Sequence, residues 1–244
     1  MKEKKSKKHM IRAKNVIIII SVLLLLFIGV FYVYTLDYYR ADTVSKSLLS
    51  NENVSILSNG KYIVFYPDQP VDKKTGFIFY PGGKVEYTAY SQLLMDLSKQ
   101  GITCILVKMP FNLAVFDINA ADKVFGSFPD LKYWFLGGHS LGGAMASSYV
   151  EKSNEKLDGL VLLGAYPLND TGLPTITIYG SEDYGLDMEK LNLAYDQVRI
   201  EGGNHSYFGN YGNQKGDGVA TITREEEQRQ AIEAIVSFMI DQYK

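Results

Sequence analysis

Cysteine is nearly absent from this sequence. The single cysteine, Cys104, cannot form an intramolecular disulfide, and one thiolate cannot build a metal site of the cysteine-rich type. Cys104 lies within an apolar run at residues 102–107, which favours a buried strand position over a reactive thiol. We expect neither a metal nor another cofactor.

The sequence also lacks an excess of positive charge. Its formal net charge is −2, so it has no broad basic surface for nucleic acid, and no nucleic-acid partner is expected. The GxxxxGK[ST] pattern of phosphate-binding loops is missing as well. What remains is a folded composition with 46% hydrophobic residues in 244, which fits one large domain and a short appendage.

The appendage is predicted at the N-terminus. Residues 1–14 are rich in lysine, and no charged residue occurs from Val16 to Leu36. This apolar run exceeds the roughly 7 to 15 residues of a cleavable signal, and bulky aromatics stand where a cleavage site would need small residues. We therefore predict an uncleaved transmembrane signal anchor at residues 15–36.

The positive-inside rule orients this anchor. The lysines precede the span, which predicts a cytoplasmic tail at 1–14, a juxtamembrane linker at 37–50 and a catalytic domain at 51–244 outside the cytoplasm. The expected location is the cell membrane, crossed once, so that the membrane itself is a partner through the N-terminal helix.

The rest of the chain alternates between short apolar runs and longer amphipathic ones. An Asn-Gly turn at residues 59–60 predicts a hairpin between strands at 54–57 and 62–66. Further strands are expected at 77–80, 102–107, 133–136, 160–163, 175–179 and 198–200. Helices are expected at 87–99, 120–125, 141–152 and 225–243, the last with a capping-box start from Thr223 to Glu226. This alternation predicts the α/β class, with a mostly parallel sheet covered by helices on both faces.

A candidate nucleophile lies in the run Gly138-His139-Ser140-Leu141-Gly142. The G-x-S-x-G pattern is typical of a nucleophile elbow, in which a serine projects from a sharp turn between a strand and a helix. A predicted strand comes directly before it, and small residues follow it. This context favours Ser140 as the nucleophile.

A serine nucleophile needs a base, and the chain has only three histidines. His9 lies in the basic tail, and His139 is bonded directly to the nucleophile, where the turn should direct its side chain elsewhere. His205 remains by elimination. It follows a predicted strand in the last part of the sheet.

The acid that orients the histidine should lie between Ser140 and His205 in the chain. Asp183 ends a segment in which a predicted strand breaks at glycine and delivers a carboxylate to the strand's carboxyl end. Glu182 and Asp187 are the competing acids.

The developing oxyanion needs two N–H donors. One is the backbone N–H of Leu141, directly after the nucleophile. The second is expected from the Gly-Gly loop after the strand at 77–80, at Gly83, with Lys84 as the close alternative.

These segments resemble the α/β-hydrolase superfamily, and over about residues 75–240 they resemble its fold-5 subgroup, which is related to dienelactone-hydrolase-like proteins. The likeness is carried by four segments, YPGGKV at 80–85, KMPFNLA at 108–114, GGHSLGG at 137–143, and GGNH at 202–205 with FGNYG at 208–212. It implies an α/β-hydrolase fold and a triad of Ser140, Asp183 and His205. Dienelactone hydrolases proper have a cysteine nucleophile where this chain has serine, so their particular reaction is not implied.

Two loops bear on the substrate. The connection from Leu163 to Thr175 is short where many relatives insert a cap, which predicts little or no lid. The loop at 206–222 carries Tyr207, Phe208 and Tyr211, which either line a pocket or pack against the body.

The sequence thus predicts a serine hydrolase that cleaves an acyl ester of a small-molecule or lipid-like substrate through an acyl-enzyme. One alternative is an acyltransferase of the cell envelope with the same triad. The other is a non-catalytic surface binding protein on a hydrolase scaffold.

Overall fold

The computed structural model describes residues 2–43, 45, 56–68, 74–153, 157–191 and 196–243. Contacts divide the chain into two compact units, one up to Tyr38 and one from Tyr39 onward. Several residues of the predicted linker and of the first predicted strand, namely 44, 46–50, 54 and 55, lie outside the described residues, as does the predicted domain start at 51.

The first unit contains one long helix, α1, which runs from Lys2 to Leu36. It continues without interruption through residues of the predicted basic tail. Its segment Ala13–Leu36 is long and apolar enough to cross a membrane. This follows from length and composition alone, which a membrane anchor shares with a signal sequence.

The second unit is built on an eight-stranded sheet in the order β1-β2-β4-β3-β5-β6-β7-β8. The pairs β1–β2 and β2–β4 are antiparallel, and the other neighbours are parallel. The strands are β1 Ile56–Ser58, β2 Tyr62–Phe65, β3 Thr75–Tyr80, β4 Thr103–Val107, β5 Tyr133–His139, β6 Gly159–Leu163, β7 Thr175–Gly180 and β8 Asp196–Ile200. The mostly parallel sheet predicted from the sequence is confirmed.

Among the residues described from Thr75 onward, four α-helices accompany this sheet. They are α2 Ser91–Ser98, α3 Asp122–Phe125, α4 Leu141–Lys152 and α5 Arg224–Asp241. Because successive strand residues point to opposite faces, Phe77 and Phe79 join one buried cluster and Ile78 and Tyr80 join the other. Residues of α2 and α5 belong to the first cluster, and residues of α3 and α4 to the second. Both faces are covered, which is why the central strands are continuously apolar.

Some elements differ from the predicted ones for local reasons. The predicted helix at 87–99 starts as a 3₁₀ turn, Tyr87–Tyr90, before α2 begins. Strand β5 continues through Gly137 and Gly138 to His139, beyond its predicted end at 136. A side chain on Gly137 would lie 2.5 Å from the Val161 carbonyl oxygen, so glycine here permits close strand packing rather than ending the strand. Helix α5 begins as predicted, since the Thr223 side chain accepts the Glu226 N–H.

Part of the predicted linker belongs to the second unit. Tyr39 forms a parallel bridge with Val85, in which the Tyr39 N–H donates to the Lys84 carbonyl and the Tyr39 carbonyl accepts the Glu86 N–H, both at 2.8 Å. The Asp42 N–H donates to the Asn210 carbonyl at 2.9 Å. The chain after α1 is therefore hydrogen-bonded to two loops at the carboxyl edge of the sheet.

Candidate active site

Ser140 lies between the end of β5 and the start of α4, in a turn that we call the nucleophile turn, residues 138–142. Its backbone has φ 52° and ψ −122°, a conformation that is strained for a residue with a side chain. The Ser140 N–H donates to the Leu163 carbonyl at 2.9 Å, which ties the turn to the end of β6. The sequence pattern and the backbone geometry agree on a nucleophile elbow.

Glycines make this turn possible. A Cβ on Gly142 would lie 2.3 Å from the Tyr80 carbonyl oxygen and 2.4 Å from that of Pro81. A Cβ on Gly138 would lie 2.6 Å from the Gly142 carbonyl carbon. Helix α4 therefore starts in backbone contact with the end of β3.

The predicted base and acid lie together. The Nδ1 of His205 is 2.8 Å from the Oδ2 of Asp183, and both side chains are almost fully buried. An imidazole that donates Nδ1–H to a carboxylate keeps the lone pair of Nε2 free to take a proton. The other Asp183 oxygen accepts the Gly185 N–H at 3.0 Å, which holds the acid in place.

Gly164 connects the nucleophile turn with this pair. It follows Leu163, whose carbonyl accepts the Ser140 N–H. A Cβ on Gly164 would lie 2.9 Å from the His205 Nδ1 and 3.1 Å from the Asp183 Oδ2. The nucleophile turn and the Asp183–His205 pair thus both lie at the carboxyl end of β6, next to Leu163 and Gly164.

The base loop, residues 201–218, is held by two further acidic side chains. Asp217 accepts the N–H groups of His205 at 3.0 Å and Ser206 at 2.8 Å. Glu227, on the first turns of α5, accepts the Asn204 N–H at 2.9 Å. The backbone on both sides of the His205 ring is therefore fixed by acidic side chains.

Glu227 is fully buried, and its Oε1 has no hydrogen-bond partner among the described residues. Burial raises the pKa of Glu227 to about 8, the hydrogen bond from the Asn204 N–H opposes this rise, and the nearby Asp217 and Asp183 carboxylates add to it more weakly. At neutral pH this side chain is mostly a neutral carboxylic acid.

The predicted oxyanion donors lie side by side. A Cβ on Gly83 would lie 2.7 Å from the Leu141 side chain. The Leu141 N–H is the first of α4, where backbone donors have no acceptor within the helix. The Lys84 N–H donates to the Asn112 carbonyl at 2.8 Å, which favours Gly83 over Lys84 as the second donor.

The competing acids have other partners. Glu182 binds Ser181 and Tyr184, and Asp187 caps a 3₁₀ turn by accepting the Glu189 N–H at 3.2 Å.

Burial raises the pKa of the Cys104 thiol, in keeping with the inert strand residue that the sequence predicts.

The aromatic loop after His205 packs against the body of the domain. Phe208 and Tyr211 are buried in the same cluster as α2 and α5. Tyr207 is covered by the guanidinium of Arg224, 4.7 Å from its ring centroid. Of the two alternatives for this loop, packing is therefore the one observed.

Sequence reasoning missed Tyr90, Asp217 and Glu227. The Tyr90 hydroxyl donates to the Nδ1 of His139 and accepts the Gly82 N–H. One signal was available, since Glu227 occupies an inward position of a helix whose other inward residues are mostly apolar. Nothing in the local sequence of Tyr90 or Asp217 indicates their partners.

Known structures share this fold at low sequence identity. TT1662 from Thermus thermophilus is 12% identical, with a TM-score of 0.56 over 76% of this chain and 98% of its own. Dienelactone hydrolase from Anabaena variabilis is 18% identical, with a TM-score of 0.53 over 77% and 97%. A soluble variant of monoglyceride lipase from Saccharomyces cerevisiae is 10% identical, with a TM-score of 0.55 over 79% and 95%. No curated protein matches the sequence.

The family comparison reaches further than these structures. The model of the alpha/beta hydrolase family matches residues 76–229, well over half of the 244 residues. The matched segment includes the nucleophile turn, Asp183 and the base loop. This chain therefore belongs to the alpha/beta hydrolase family.

Proposed function

We propose that the chain is a membrane-anchored serine hydrolase that cleaves an acyl ester through Ser140, His205 and Asp183. The observation that carries the proposal is the buried contact between His205 Nδ1 and Asp183 Oδ2, 2.8 Å, beside a strained serine turn. A base oriented by a carboxylate next to a partly exposed serine is the arrangement that acyl transfer requires.

In the proposed reaction the Ser140 hydroxyl oxygen bonds to the substrate carbonyl carbon, and its proton passes to the Nε2 of His205. The N–H groups of Leu141 and Gly83 bind the resulting oxyanion. Collapse of this intermediate breaks the ester bond, and the leaving alcohol takes the proton from His205. Water then attacks the acyl-enzyme with His205 as base, which releases the acid and restores Ser140.

Asp183 and Glu227 have different protonation states in this scheme. Asp183 remains a carboxylate that orients His205 and stabilises its cation. The pKa of Glu227, raised to about 8, leaves this side chain mostly neutral at pH 7. The base loop therefore carries no further negative charge from Glu227.

Exposed apolar side chains favour a substrate with an apolar acyl group. Phe111 and Phe116 stack edge to face, with centroids 5.7 Å apart, on the loop after β4, and both are exposed. Leu168, after β6, and Tyr184 and Met188, after β7, are exposed as well. All five side chains lie on loops that follow the carboxyl ends of strands, the edge where Ser140 and His205 lie, so they support a lipid-like acyl chain as the ligand.

A covalent probe tests the nucleophile. We expect the full-length chain in detergent micelles to be labelled by a fluorophosphonate, and we expect Ser140→Ala to abolish labelling. Ser148→Ala, on the helix that follows Ser140, is the matched control and should label like the wild type. A wild type that stays unlabelled, or a Ser140→Ala variant that labels equally, would show that the nucleophile assignment is wrong.

A graded series of esters tests the reaction and the acyl group. p-Nitrophenyl acetate, butyrate and octanoate should be hydrolysed with kcat/KM rising with chain length, because each buried methylene stabilises binding by about 0.8 kcal/mol. Acyl transfer to added glycerol in preference to water would instead favour the acyltransferase alternative. Binding of esters without turnover would favour the binding protein.

We further propose that α1 anchors the chain with its N-terminus in the cytoplasm and the second unit outside. The support is the lysine-rich start before the apolar segment Ala13–Leu36. In intact cells, a membrane-impermeant maleimide should modify Asn213→Cys but not Ser6→Cys. The wild-type chain is the control and should not react, because its single cysteine, Cys104, is buried. The reverse pattern would contradict this topology, and release of a shortened chain would indicate a cleaved signal.

A further inference from the structure

The proposed mechanism does not use His139, the neighbour of Ser140. Its side chain is buried, with 1% exposure, and both ring nitrogens are within hydrogen-bond distance of partners. The Nδ1 lies 2.8 Å from the Tyr90 hydroxyl, and the Nε2 lies 2.9 Å from the backbone carbonyl oxygen of His205.

The chemistry of the partners fixes the direction of each bond. A carbonyl only accepts, so the Nε2 of His139 carries the hydrogen and donates it to His205. Burial, and then the neighbouring His205, lower the pKa of His139 well below its usual range, so the ring is neutral and its Nδ1 accepts from Tyr90. The Tyr90 oxygen in turn accepts the Gly82 N–H at 3.0 Å. Burial raises the pKa of Tyr90, which keeps the proton that it donates.

One end of this chain of hydrogen bonds lies in the oxyanion loop, residues 81–85. The Gly82 N–H is held by Tyr90, and the Gly82 carbonyl accepts the Val85 N–H at 3.3 Å. The bond from Gly82 to Gly83 is a trans peptide, so the Gly83 N–H points opposite to that carbonyl. The two contacts on Gly82 thereby set the direction of the proposed oxyanion donor.

The other end lies on the base. The carbonyl that accepts from His139 belongs to His205 itself, and the two imidazole rings pack with centroids 4.6 Å apart. This arrangement requires glycine at position 82. A Cβ there would lie 2.6 Å from the Tyr90 hydroxyl and 2.8 Å from the His139 Nδ1. The four hydrogen-bonded residues come from three places in the fold, since Gly82 and Tyr90 follow β3, His139 ends β5 and His205 follows β8.

We propose that His139 and Tyr90 are positioning residues, which hold the oxyanion loop and the base loop in register through the hydrogen bonds from Gly82 to His205. This inference rests on the proposed function. Neither side chain touches the substrate. Their hydroxyl and imidazole groups join loops that carry an oxyanion donor and the base, so loss of one bond misaligns two groups that act in the same step.

The first test removes one hydroxyl. In the full-length chain in detergent, Tyr90→Phe should lower kcat for p-nitrophenyl butyrate about tenfold with little change in KM, less than the roughly 10² to 10³ for a lost oxyanion donor. Tyr80→Phe is the matched control, because the Tyr80 hydroxyl is also buried between two backbone partners, the Ala121 N–H and the Ile118 carbonyl. We expect this control to keep the wild-type kcat.

A double-mutant cycle tests whether the two residues act as one unit. A glutamine side chain can still donate to the His205 carbonyl but cannot accept from Tyr90 at the Nδ1 position. His139→Gln should therefore lower kcat about as far as Tyr90→Phe, and the combined variant should lose little more than either single variant. Losses that multiply would show that the two residues act independently, which overturns the proposal.

Nuclear magnetic resonance gives a readout that stability alone does not change. With three histidines in the chain, the ring nitrogen signals can be assigned by substitution. His139 should remain a neutral Nε2–H tautomer from pH 5 to 8, and Tyr90→Phe should shift its Nδ1 signal. A His139 that titrates in this range would overturn the inference.

The outcomes separate this inference from the proposed function. A wild type that neither hydrolyses the ester nor labels with fluorophosphonate overturns both. An active wild type whose Tyr90→Phe variant keeps full kcat, or whose Tyr80→Phe control falls equally, overturns the positioning role and leaves the hydrolase proposal intact.

Discussion

The nucleophile turn and the base loop lie at the same edge of the sheet but are held in different ways. In the nucleophile turn, glycine backbones touch other backbone atoms, and a Cβ on Gly142 would lie only 2.3 Å from the Tyr80 carbonyl oxygen. In the base loop, the backbone N–H groups around His205 donate to acidic side chains, those of Asp217 and Glu227.

This difference predicts different sensitivities. Backbone packing depends on volume and is indifferent to pH, because no titratable group takes part in it. Hydrogen bonds to carboxylates depend on the charge of the acceptor and on burial. Adding a methyl group should therefore damage the first region, and changing charge or pH should affect the second.

The largest effect is expected from Gly142→Ala. The new methyl group would meet the carbonyl oxygens of Tyr80 and Pro81, which belong to a buried strand end and cannot move aside easily. We expect the free energy of unfolding to fall by about 3 kcal/mol or more at every pH, with loss of fluorophosphonate labelling. Chemical denaturation at pH 6 and 8 measures this.

Gly126→Ala is the control for that substitution. Gly126 has φ −65°, and a Cβ there meets nothing within 4 Å. Its free energy of unfolding should be unchanged or higher by about 0.4 to 1 kcal/mol, since alanine restricts the unfolded chain. If both variants behaved alike, backbone contact would not be what holds the nucleophile turn.

Asp217→Asn should produce the next largest effect. The carboxylate accepts the N–H groups of His205, Ser206 and Gly218, whereas an amide would direct its NH₂ group at one of these donors. We expect a loss of about 2 kcal/mol of stability and a lower kcat, because hydrogen bonds to charged groups contribute about 1.5 to 3 kcal/mol. Asp130→Asn, an exposed aspartate, makes the same charge change and should have little effect. Equal effects of the two variants would contradict a specific role for Asp217.

Glu227→Gln tests the pH dependence. The folded-state pKa of Glu227, about 8, exceeds its ordinary value of 4.5, so the folded state binds a proton that the unfolded state loses first. Wild-type stability contributed by this group therefore falls as pH rises from about 4.5 to 8, by up to about 1.4 kcal/mol per pH unit. Glutamine is neutral throughout, so the stability of the variant relative to the wild type should rise over this pH window and stay constant above it.

The exposed Glu225 lies on the same turn of α5, and Glu225→Gln is the control. The difference in stability between Glu225→Gln and the wild type should stay constant over that pH window. Thermal melts from pH 5 to 9 decide the matter, and a constant difference between wild type and Glu227→Gln would show that the buried acid is ionised in the folded protein.

The same contrast explains how much could be predicted from the sequence. The nucleophile turn is a local structure, since its glycines and serine lie within five consecutive residues, and its strand and helix flank it directly. The parallel strands were predictable because both faces of the sheet are covered, which leaves continuous apolar runs. His205 followed from the scarcity of histidine rather than from its surroundings.

The supports of the site could not be predicted in this way. Tyr90 and His139 are 49 residues apart, and they meet only because β3 and β5 are neighbours in the sheet, although α2, β4 and α3 come between them in the chain. Glu227 reaches the base loop from a helix 22 residues beyond His205. Such pairs are set by tertiary packing and by burial, neither of which local patterns record.

The smallest effect is expected from Asp187→Asn, which extends the comparison to the loop after β7. Asp187 is exposed, caps a short 3₁₀ turn and pairs with Lys190, so its loss should change kcat less than about twofold, as surface ion pairs contribute little. Asp183→Asn, in contrast, should lower kcat by orders of magnitude, because an amide opposite the Nδ1 of His205 favours the wrong tautomer. Steady-state kinetics on both variants, with Glu182→Gln beside them, distinguish the three acids. If kcat of Asp187→Asn fell as far as that of Asp183→Asn, burial against His205 would not be what selects the acid, and an exposed carboxylate outside the base loop would matter as much as the buried one.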